Sequence, residues 1–318
     1  MHPKLHGGSR QSDVEDLHGQ GEGRRGKDKM IRSWVAWRHL RSLGQNVRRC
    51  SSSPQSPSVD AAEILKFNAL SAKWWNTQGH AAFLHRMNPA RVAFIRSVIE
   101  SLLLRKDAPL AVLTDREEDG SGTCLPLHSV SVLDVGCGGG LVAEPLARLG
   151  AKVTGIDGAG DAVRVANEHA KMEASLRSRL EYRHATVEQL VQEQRAFDVV
   201  TALEIVEHVN QPREFVASCA ALVSKKGGLL VLSTINRTPL SYAATILGAE
   251  KLTRIIPSGT HDWNRYITPG ELGAVVEGLG FTVERVVGLH FNPLSGVFFL
   301  SERNLDINYI MVAAWHPR

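Results

Sequence analysis

The fold of this chain is decided by one stretch, Val130-Ser131-Val132-Leu133-Asp134-Val135-Gly136-Cys137-Gly138-Gly139-Gly140. Its apolar and β-branched first half predicts a buried strand, and its glycine-rich second half predicts a turn. Residues 141–149 then carry apolar side chains near helical spacing. A strand that runs through a glycine turn into a helix can cradle a nucleotide cofactor, because glycine admits a close ligand and the helix-start amides face its polar groups.

A second apolar run ends on Asp157, where a carboxylate is suited to hydrogen-bond a ribose diol. The spacing of Gly138, Gly140 and Ala143 also fits a dinucleotide fingerprint, so an NAD enzyme or an empty structural unit remains an alternative. Asp134, inside the first strand, could reach the amino group of S-adenosylmethionine (SAM). The last apolar run, 308–315, suits the antiparallel closing hairpin of methyltransferases. Both features favour a SAM-dependent methyltransferase.

The alternation of apolar runs and helical patterns after the cradle is regular. Such alternation predicts a parallel, doubly wound α/β sheet, in which ligands bind at the carboxyl ends of the strands. We therefore predict a class I SAM-dependent methyltransferase fold, Rossmann-like, with a seven-stranded sheet and an antiparallel last strand. The methyltransferase domain is expected over 59–318, with an N-terminal helical cap over 59–106 and an insertion over 238–267.

Basic charge is concentrated at the start of the chain. Residues 1–50 hold eleven Lys and Arg against five Asp and Glu, whereas the remainder holds 26 against 28. A nearly neutral body argues against a nucleic-acid-binding surface. Residues 30–50 are rich in Arg and free of acids, which predicts a mitochondrial transit peptide, with a plastid peptide or a solvated basic helix as alternatives. Residues 1–29 are expected to be disordered, and 51–58 to be a linker.

The four cysteines, Cys50, Cys124, Cys137 and Cys219, have no paired or metal-ligand spacing, so neither disulfides nor zinc are expected. Cys137 is interpreted as a packing residue of the glycine turn. No apolar run reaches the ~18 residues that a spanning helix needs, so an integral membrane protein is not expected.

Arg91 lies near the start of a predicted helix over 91–104. A cap of this kind would fold over the cofactor, so Arg91 is a candidate ligand for the methionine carboxylate of SAM. The alternative is an ordinary surface arginine.

The segment after the fourth predicted strand carries a group of titratable side chains, Glu204, Glu207 and His208. In a helical turn these residues would share one face. They could bind a hard divalent cation, with the histidine as ligand or base. The alternative is an acid and a histidine that only shape the site.

The apolar segment 240–256 of the insertion suits a hydrophobic substrate or a membrane surface. A lid helix packed on the core explains the same pattern.

With these pieces placed, the chain closely resembles the ubiquinone-biosynthesis O-methyltransferases over about residues 63–315. The glycine cradle is common to methyltransferases, whereas three other blocks are more specific: Gly259-Thr260-His261-Asp262, Leu289-His290-Phe291-Asn292-Pro293 and Asn308-Tyr309. The resemblance implies O-methylation of polyprenylated catechols, namely 3,4-dihydroxy-5-polyprenylbenzoate and demethylubiquinol. It also implies a place on the matrix side of the mitochondrial inner membrane, as a peripheral member of a multi-subunit complex.

The family's cofactor residues fall on Arg91, Gly136, Asp157 and Leu203, and its divalent-metal ligands on Glu204, Glu207 and His208. The resemblance therefore implies SAM and Mg²⁺ as cofactors, with the same two glutamates and histidine as catalytic residues. Two alternatives remain: a non-catalytic, cofactor-binding scaffold, and a methyltransferase for another small phenol.

Overall fold

The structure, a computed structural model, describes residues 58–104, 125–246 and 262–316. The predicted transit peptide, the linker up to residue 57 and the central part of the insertion lie outside the described residues, as do Cys50, Cys124 and the block 259–261.

The centre of the fold is a sheet in the order β3-β2-β1-β4-β5-β8-β6-β7. The first five strands are parallel, and β8 runs antiparallel between β5 and β6. This confirms the α/β class and the antiparallel last strand. The strands are β1 Ser131–Val135, β2 Lys152–Asp157, β3 Leu180–His184, β4 Val199–Leu203, β5 Leu229–Ile235, β6 Phe281–Asn292, β7 Val297–Ser301 and β8 Asn308–Trp315.

Eight strands, not the predicted seven, form this sheet. The additional strand is β7, a short apolar run that pairs antiparallel with the end of β6 from Asn292↔Val297 to Gly288↔Ser301. The turn between them contains Gly296 at a φ of 70°. Strand β6 extends beyond its pairing with β8, which ends at Leu289, because its last residues pair with β7.

Helices cover both faces of the sheet. They are α1 Ala61–Ser71, α2 Ala82–Val98, α3 Ala143–Arg148, α4 Gly160–Lys171, α5 Val187–Gln192, α6 Pro212–Ala221, α7 Pro239–Tyr242 and α8 Pro269–Gly278. Among the described residues, none of these helices has both the length and the apolar character required to cross a bilayer.

The inner strands are buried on both faces, as their near-continuous apolar sequences require. Register places Asp134 of β1 beside Thr201 of β4, and Leu203 of β4 beside Ser233 of β5. The carboxyl ends of the five parallel strands therefore meet at one edge, where polar residues begin. We call this line the catalytic edge; it runs through residues 136, 157, 185, 204 and 236.

Helix α2 begins earlier than the sequence predicted. It starts at Ala82 and continues through Pro89, so Arg91 lies in its middle, not near its start. A proline inside a helix costs roughly 3 kcal/mol, because it removes a hydrogen bond and crowds the preceding turn. The buried side chains of Phe94, Ile95 and Val98 bind this helix to the core and offset that cost.

The N-terminal end of the described chain is anchored beside the catalytic edge. The hydroxyl of Ser58 donates to Oε1 of Glu188 at 2.6 Å, and Val59 forms an antiparallel bridge with Val209. Asp60 caps α1 by accepting from the amide of Ala62 and also contacts Arg265. Helix α1 is thus held against the loops that follow β3 and β4.

The hairpin between β6 and β7 projects from the same edge. Asn308 at the start of β8 pairs with Ile235 at the end of β5, and Leu289 near the end of β6 pairs with Asn308. The β6 terminus therefore points the way the parallel strands point. Leu294 at the tip of this hairpin is 97% exposed.

Candidate active site

The glycine loop after β1 is shaped by backbone conformations that favour glycine. Gly136, Gly138 and Gly140 have φ values of 70°, 52° and 90°. The amide of Gly136 donates to the carbonyl of Ile156 at 2.8 Å, which ties the loop to β2. A Cβ atom on Gly136 would lie 2.2 Å from Cδ1 of Ile205, so a larger residue would have to displace the end of that side chain and would be strained by the positive φ.

Asp157, at the end of β2, faces this loop. Its carboxylate accepts from the amides of Gly138 at 2.8 Å and Ala159 at 2.7 Å. Burial raises the pKa of Asp157, although the two amides favour the charged form. The carboxylate thus stands beside the glycine turn, where the sequence predicted a ribose contact.

Two tryptophans of the cap rest on the glycine loop. Cβ atoms on Gly138 and Gly139 would each approach the ring of Trp74 to 2.3 Å, so the indole lies directly on the loop. The indole nitrogen of Trp75 donates to the carbonyl of Gly139 at 3.0 Å, and its ring stacks on His169 at 3.4 Å. The cap therefore closes one side of the cradle.

Arg91 and Asp134 form the charged part of the cradle, and each is only 3% exposed. Burial lowers the pKa of Arg91, while the negative charges of Glu204 and Asp134 oppose that fall. Burial also raises the pKa of Asp134 to about 6, against a hydrogen bond from Thr201 of 2.8 Å. Arg91 is thus a buried cation between two carboxylates and not the surface arginine of the alternative interpretation.

Three buried polar atoms around the cradle have no hydrogen-bond partner among the described residues: Nε1 of Trp74, Nε of Arg91 and Oδ2 of Asp134. Unpartnered buried polar groups are rare in folded proteins and point to a ligand or a bound ion. Two donors and one carboxylate oxygen match a carboxylate and an ammonium group, which the methionine end of SAM carries. The residues present therefore fit SAM, with the Asp157 carboxylate, which already accepts from two amides, beside the glycine turn where the ribose would bind.

Leu203 and Glu204 end β4 at the catalytic edge. Leu203 is buried and pairs with Ser233, in a place for apolar contact. Glu204 has a φ of 54° and accepts through its two oxygens from the Ser233 hydroxyl at 2.7 Å and the Asn308 amide at 2.8 Å. The left-handed backbone takes Glu204 out of the helical turn that the spacing suggested.

Glu207 and His208 lie in the short 3₁₀ turn Val206–His208. Burial, and then the charge of Glu204, raises the pKa of Glu207 to about 7, and its Oε2 accepts from Thr234 at 2.7 Å. Nδ1 of His208 lies 2.8 Å from Oε2 of Glu63. Burial lowers the pKa of His208, but the hydrogen bond that its ring makes to Glu63 and the charge of Glu207 outweigh it and raise that pKa overall.

The predicted metal ligands are neighbours but do not converge. Glu204 faces Ser233 and Asn308, Glu207 faces Thr234, and His208 faces Glu63. In the described parts of the chain, no three acidic, histidine or cysteine side chains are grouped to hold a metal ion. In this arrangement the residues do not fit Mg²⁺, because a cation needs several oxygens directed at one point.

Cys137 sits in the glycine turn and is buried, and burial raises the pKa of its thiol well above the usual value. A buried neutral thiol packs but does not attack, which agrees with the interpretation from the sequence.

Comparison with known proteins shows which family this chain is similar to. The family described as "Methyltransferase domain" matches residues 133–232, from β1 into β5. Two relatives are ubiquinone biosynthesis O-methyltransferases. The mitochondrial protein of Arabidopsis thaliana is 40% identical over 271 residues, which cover 85% of this chain and 78% of the relative. The protein of Rhodopseudomonas palustris is 41% identical over 267 residues, 84% of this chain and 98% of the relative.

A solved SAM-dependent methyltransferase of Thermotoga maritima has the same fold. Its TM-score is 0.51 with 15% identity, over 80% of this chain and 99% of that chain. The likeness confirms the predicted fold class.

Several site residues were missed from the sequence: Glu63, Trp74, Trp75 and Asn308. The sequence predicts a helical cap over 59–106, with Trp74 in the apolar stripe of its first helix and Trp75 at the break that follows. An apolar stripe does not say which polar residue of the helix faces the sheet. Two adjacent aromatic residues at such a break were the available signal, since large aromatic side chains with polar nitrogens tend to find buried partners.

Proposed function

Because the chain belongs to the ubiquinone biosynthesis O-methyltransferases, and thus catalyses SAM-dependent O-methylation in ubiquinone biosynthesis, we propose that it methylates polyprenylated catechols. The proposed acceptors are 3,4-dihydroxy-5-polyprenylbenzoate and demethylubiquinol. The observation that carries this proposal is the placement of Glu204, Glu207 and His208 directly after β4, beside the glycine loop. Charged groups that can take a proton therefore lie beside the proposed methyl donor.

A catechol hydroxyl with a pKa near ~10 is a poor nucleophile at neutral pH until its proton is removed. We assign the proton to Nε2 of His208, whose ring the charges of Glu63 and Glu207 favour in the protonated form. SAM supplies a methyl group bound to a positively charged sulfur. As the oxygen–carbon bond forms, the carbon–sulfur bond breaks with its electron pair on sulfur, and the hydroxyl proton passes to His208.

Arg91, Asp134 and Asp157 contribute by holding the methyl donor in one orientation. Arg91 would pair with the donor's carboxylate, Asp134 with its ammonium group and Asp157 with its ribose. Fixing both reactants can supply several kcal/mol of the barrier reduction. Trp74 and Trp75 keep water from the cradle on the cap side. Gly136 and Leu203 line the same cradle in this proposal.

Mg²⁺ bound by Glu204, Glu207 and His208 stays a prediction. The present directions of these side chains do not support it, so the mechanism above contains no metal step. A cation would have to replace the hydrogen bonds that Ser233, Asn308 and Thr234 now donate.

The polyprenyl tail requires an apolar route to the catalytic edge. Exposed apolar side chains occur on two elements at that edge: Leu240 of α7 is 51% exposed, and Leu294, Val297 and Phe299 of the β6–β7 hairpin are 97%, 58% and 48% exposed. We propose that these elements contact a phospholipid surface, from which the tail enters. Exposed apolar residues that are grouped in this way are typical of membrane or protein contacts.

The mitochondrial plant relative supports a mitochondrial location. We further propose the matrix side of the inner membrane, with peripheral attachment and membership of a multi-subunit ubiquinone-biosynthesis complex. The apolar hairpin supports peripheral attachment.

The decisive experiment measures methyl transfer from SAM to a short-tailed dihydroxybenzoate and to a demethylubiquinol analogue, with Mg²⁺ and then with EDTA. Turnover on both compounds would support the substrate proposal. Activity lost with EDTA and restored by Mg²⁺ would mean that the two glutamates and the histidine reorient around a cation. Activity indifferent to EDTA would leave them in an acid–base role. SAM binding without turnover on either compound would favour the non-catalytic scaffold, and turnover on a soluble phenol alone would favour the other methyltransferase.

A further inference from the structure

A carboxylate of the cap is in contact with the proposed base of the reaction. Oε2 of Glu63, on α1, lies 2.8 Å from Nδ1 of His208, across 145 positions of the chain. Exposure of the two side chains is low, at 21% for Glu63 and 14% for His208, so water screens this pair only in part. The contact joins the N-terminal helical cap to the 3₁₀ turn that carries the proposed base, His208.

The ring of His208 is held from other directions as well. Phe67, one helical turn after Glu63, meets it edge-on with centroids 5.3 Å apart and planes at 86°. The backbone amide of His208 donates to the carbonyl of Ile205 at 2.9 Å. Glu63 and Phe67 therefore present one polar and one aromatic contact to the same ring from one face of α1.

The chemistry of imidazole determines which ring nitrogen of His208 carries the proton in this arrangement. A neutral ring carries its proton on one nitrogen and a lone pair on the other, and the hydrogen bond made by one nitrogen fixes the role of the other. A carboxylate only accepts, so Glu63 selects the tautomer with the proton on Nδ1. The lone pair is then on Nε2, the nitrogen that faces away from the cap carboxylate.

We propose that Glu63 is a positioning residue for methyl transfer, which orients the His208 ring and fixes its tautomer so that Nε2 can accept the hydroxyl proton of the substrate. The inference rests on the proposed function, since it assigns a partner to the base of that reaction. Glu63 itself touches neither substrate nor cofactor in this mechanism. Cap docking and catalytic competence thus depend on the same contact.

The test compares Glu63→Gln with Asp60→Asn in the full chain. Asp60 is the N-cap residue of the same helix and pairs with Arg265. The Asp60→Asn variant therefore reports any loss of activity that comes from weaker docking of the N-terminal helical cap. Glu63→Gln keeps the size of the side chain but removes the charge and can present an N–H to His208. We expect kcat to fall roughly 10- to 100-fold, with KM and the Kd for SAM within about twofold of the wild type.

Asp60→Asn should lower the melting temperature with little change in kcat. A second variant, His208→Ala, tests whether the effect passes through the ring: in that background Glu63→Gln should cause no further loss. The proposal is overturned if Glu63→Gln keeps full kcat, if Asp60→Asn reduces kcat equally, or if the Glu63 effect persists without His208.

A measurement that needs no substrate separates this inference from the proposed function. ¹⁵N NMR of the His208 ring at alkaline pH, where the ring is neutral, should show the proton on Nδ1 in the wild type and a shift toward Nε2 in Glu63→Gln. The signal is assigned by its loss in His208→Ala. A wild-type ring with its proton on Nε2 would overturn the role of Glu63 even in an active enzyme. Absence of turnover on all catechols with the Nδ1 tautomer present would instead count against the proposed substrates.

Discussion

The indole of Trp74 lies on Gly139 so closely that a Cβ atom there would be 2.3 Å from its Cδ1. The cap and the glycine loop are therefore one binding surface, although the chain separates them by about sixty residues.

Gly139→Ala should weaken SAM binding and lower the melting temperature. The φ of Gly139 is not positive, so the clash with Trp74 is the cause, and overpacking of this kind costs about 1–3 kcal/mol. Calorimetric titration with SAM and thermal unfolding measure both effects. Gly270→Ala is the matched control, because nothing lies within 4 Å of a Cβ there. The clash is the wrong cause if Gly139→Ala costs as much in a Trp74→Ala background.

Trp74→Phe should affect stability and binding differently. It removes an indole N–H that has no partner among the described residues, so unfolding without SAM should change by less than about 1 kcal/mol. If that N–H donates to the carboxylate of SAM, the Kd should rise about tenfold, since a bond to a charged group contributes about 1.5–3 kcal/mol. Trp75→Phe is the contrast, because it breaks an existing bond to Gly139 and should cost stability directly. An unchanged Kd for Trp74→Phe would remove Trp74 from the cofactor site.

Asp134 should make SAM binding depend on pH. Burial raises its pKa from 3.8 to about 6, so between these values the folded protein holds a proton that the unfolded chain has released. Its contribution to stability without SAM therefore falls as pH rises from about 4 to 6, by a total of about 3 kcal/mol.

The ammonium group of SAM prefers the ionised carboxylate, so SAM affinity should rise as pH passes through about 6. Asp134→Asn should bind SAM weakly at neutral pH and lose this dependence, as titrations on either side of pH 6 would show. A wild-type Kd that does not change between those conditions would contradict the assignment of Asp134.

Glu204→Gln and Asp157→Ala should have opposite kinetic signatures. Glu204→Gln sets an amide against the donors Ser233 and Asn308 and removes the charge from the reacting edge. Turnover should fall by at least ~100-fold while the Kd for SAM changes little. Asp157→Ala removes the acceptor of two loop amides and should raise the Kd for SAM first. If Glu204→Gln loses SAM affinity as severely as Asp157→Ala, Glu204 belongs to the cofactor site through its charge on Arg91.

Sequence patterns predicted those parts of the fold that local residues determine. The inner parallel strands β1, β4 and β5 are near-continuous apolar runs, and the positive φ values of the cradle fall on glycines, so both are visible in the sequence. Strand β7 was missed because five residues between turn signals are too few to separate a strand from a loop.

The directions of the site side chains depend on contacts distant in sequence. The sequence predicted a helix that begins near residue 91, but core packing extends α2 back through Pro89 and places Arg91 in the interior. The spacing of Glu204 and His208 suggested a shared helical face. Hydrogen bonds from β5 and β8 instead hold Glu204 in a left-handed conformation that no local pattern indicates.

The anchoring of the cap has a consequence for the order in which the molecule is made. Glu63 of α1 and the three residues before the helix, 58–60, are synthesised early. Their contacts, however, are with Glu188, His208, Val209 and Arg265. Contacts of such separation form late, because a long loop must close before they contribute. We expect these contacts of residues 58–63 to be absent during synthesis, until β4 and the segment after it have left the ribosome. They would be absent again during any unfolded transport across a membrane. A chain stopped before residue 208 could still bond Trp75 to the glycine loop, but its first helix would lack the contact between Glu63 and His208.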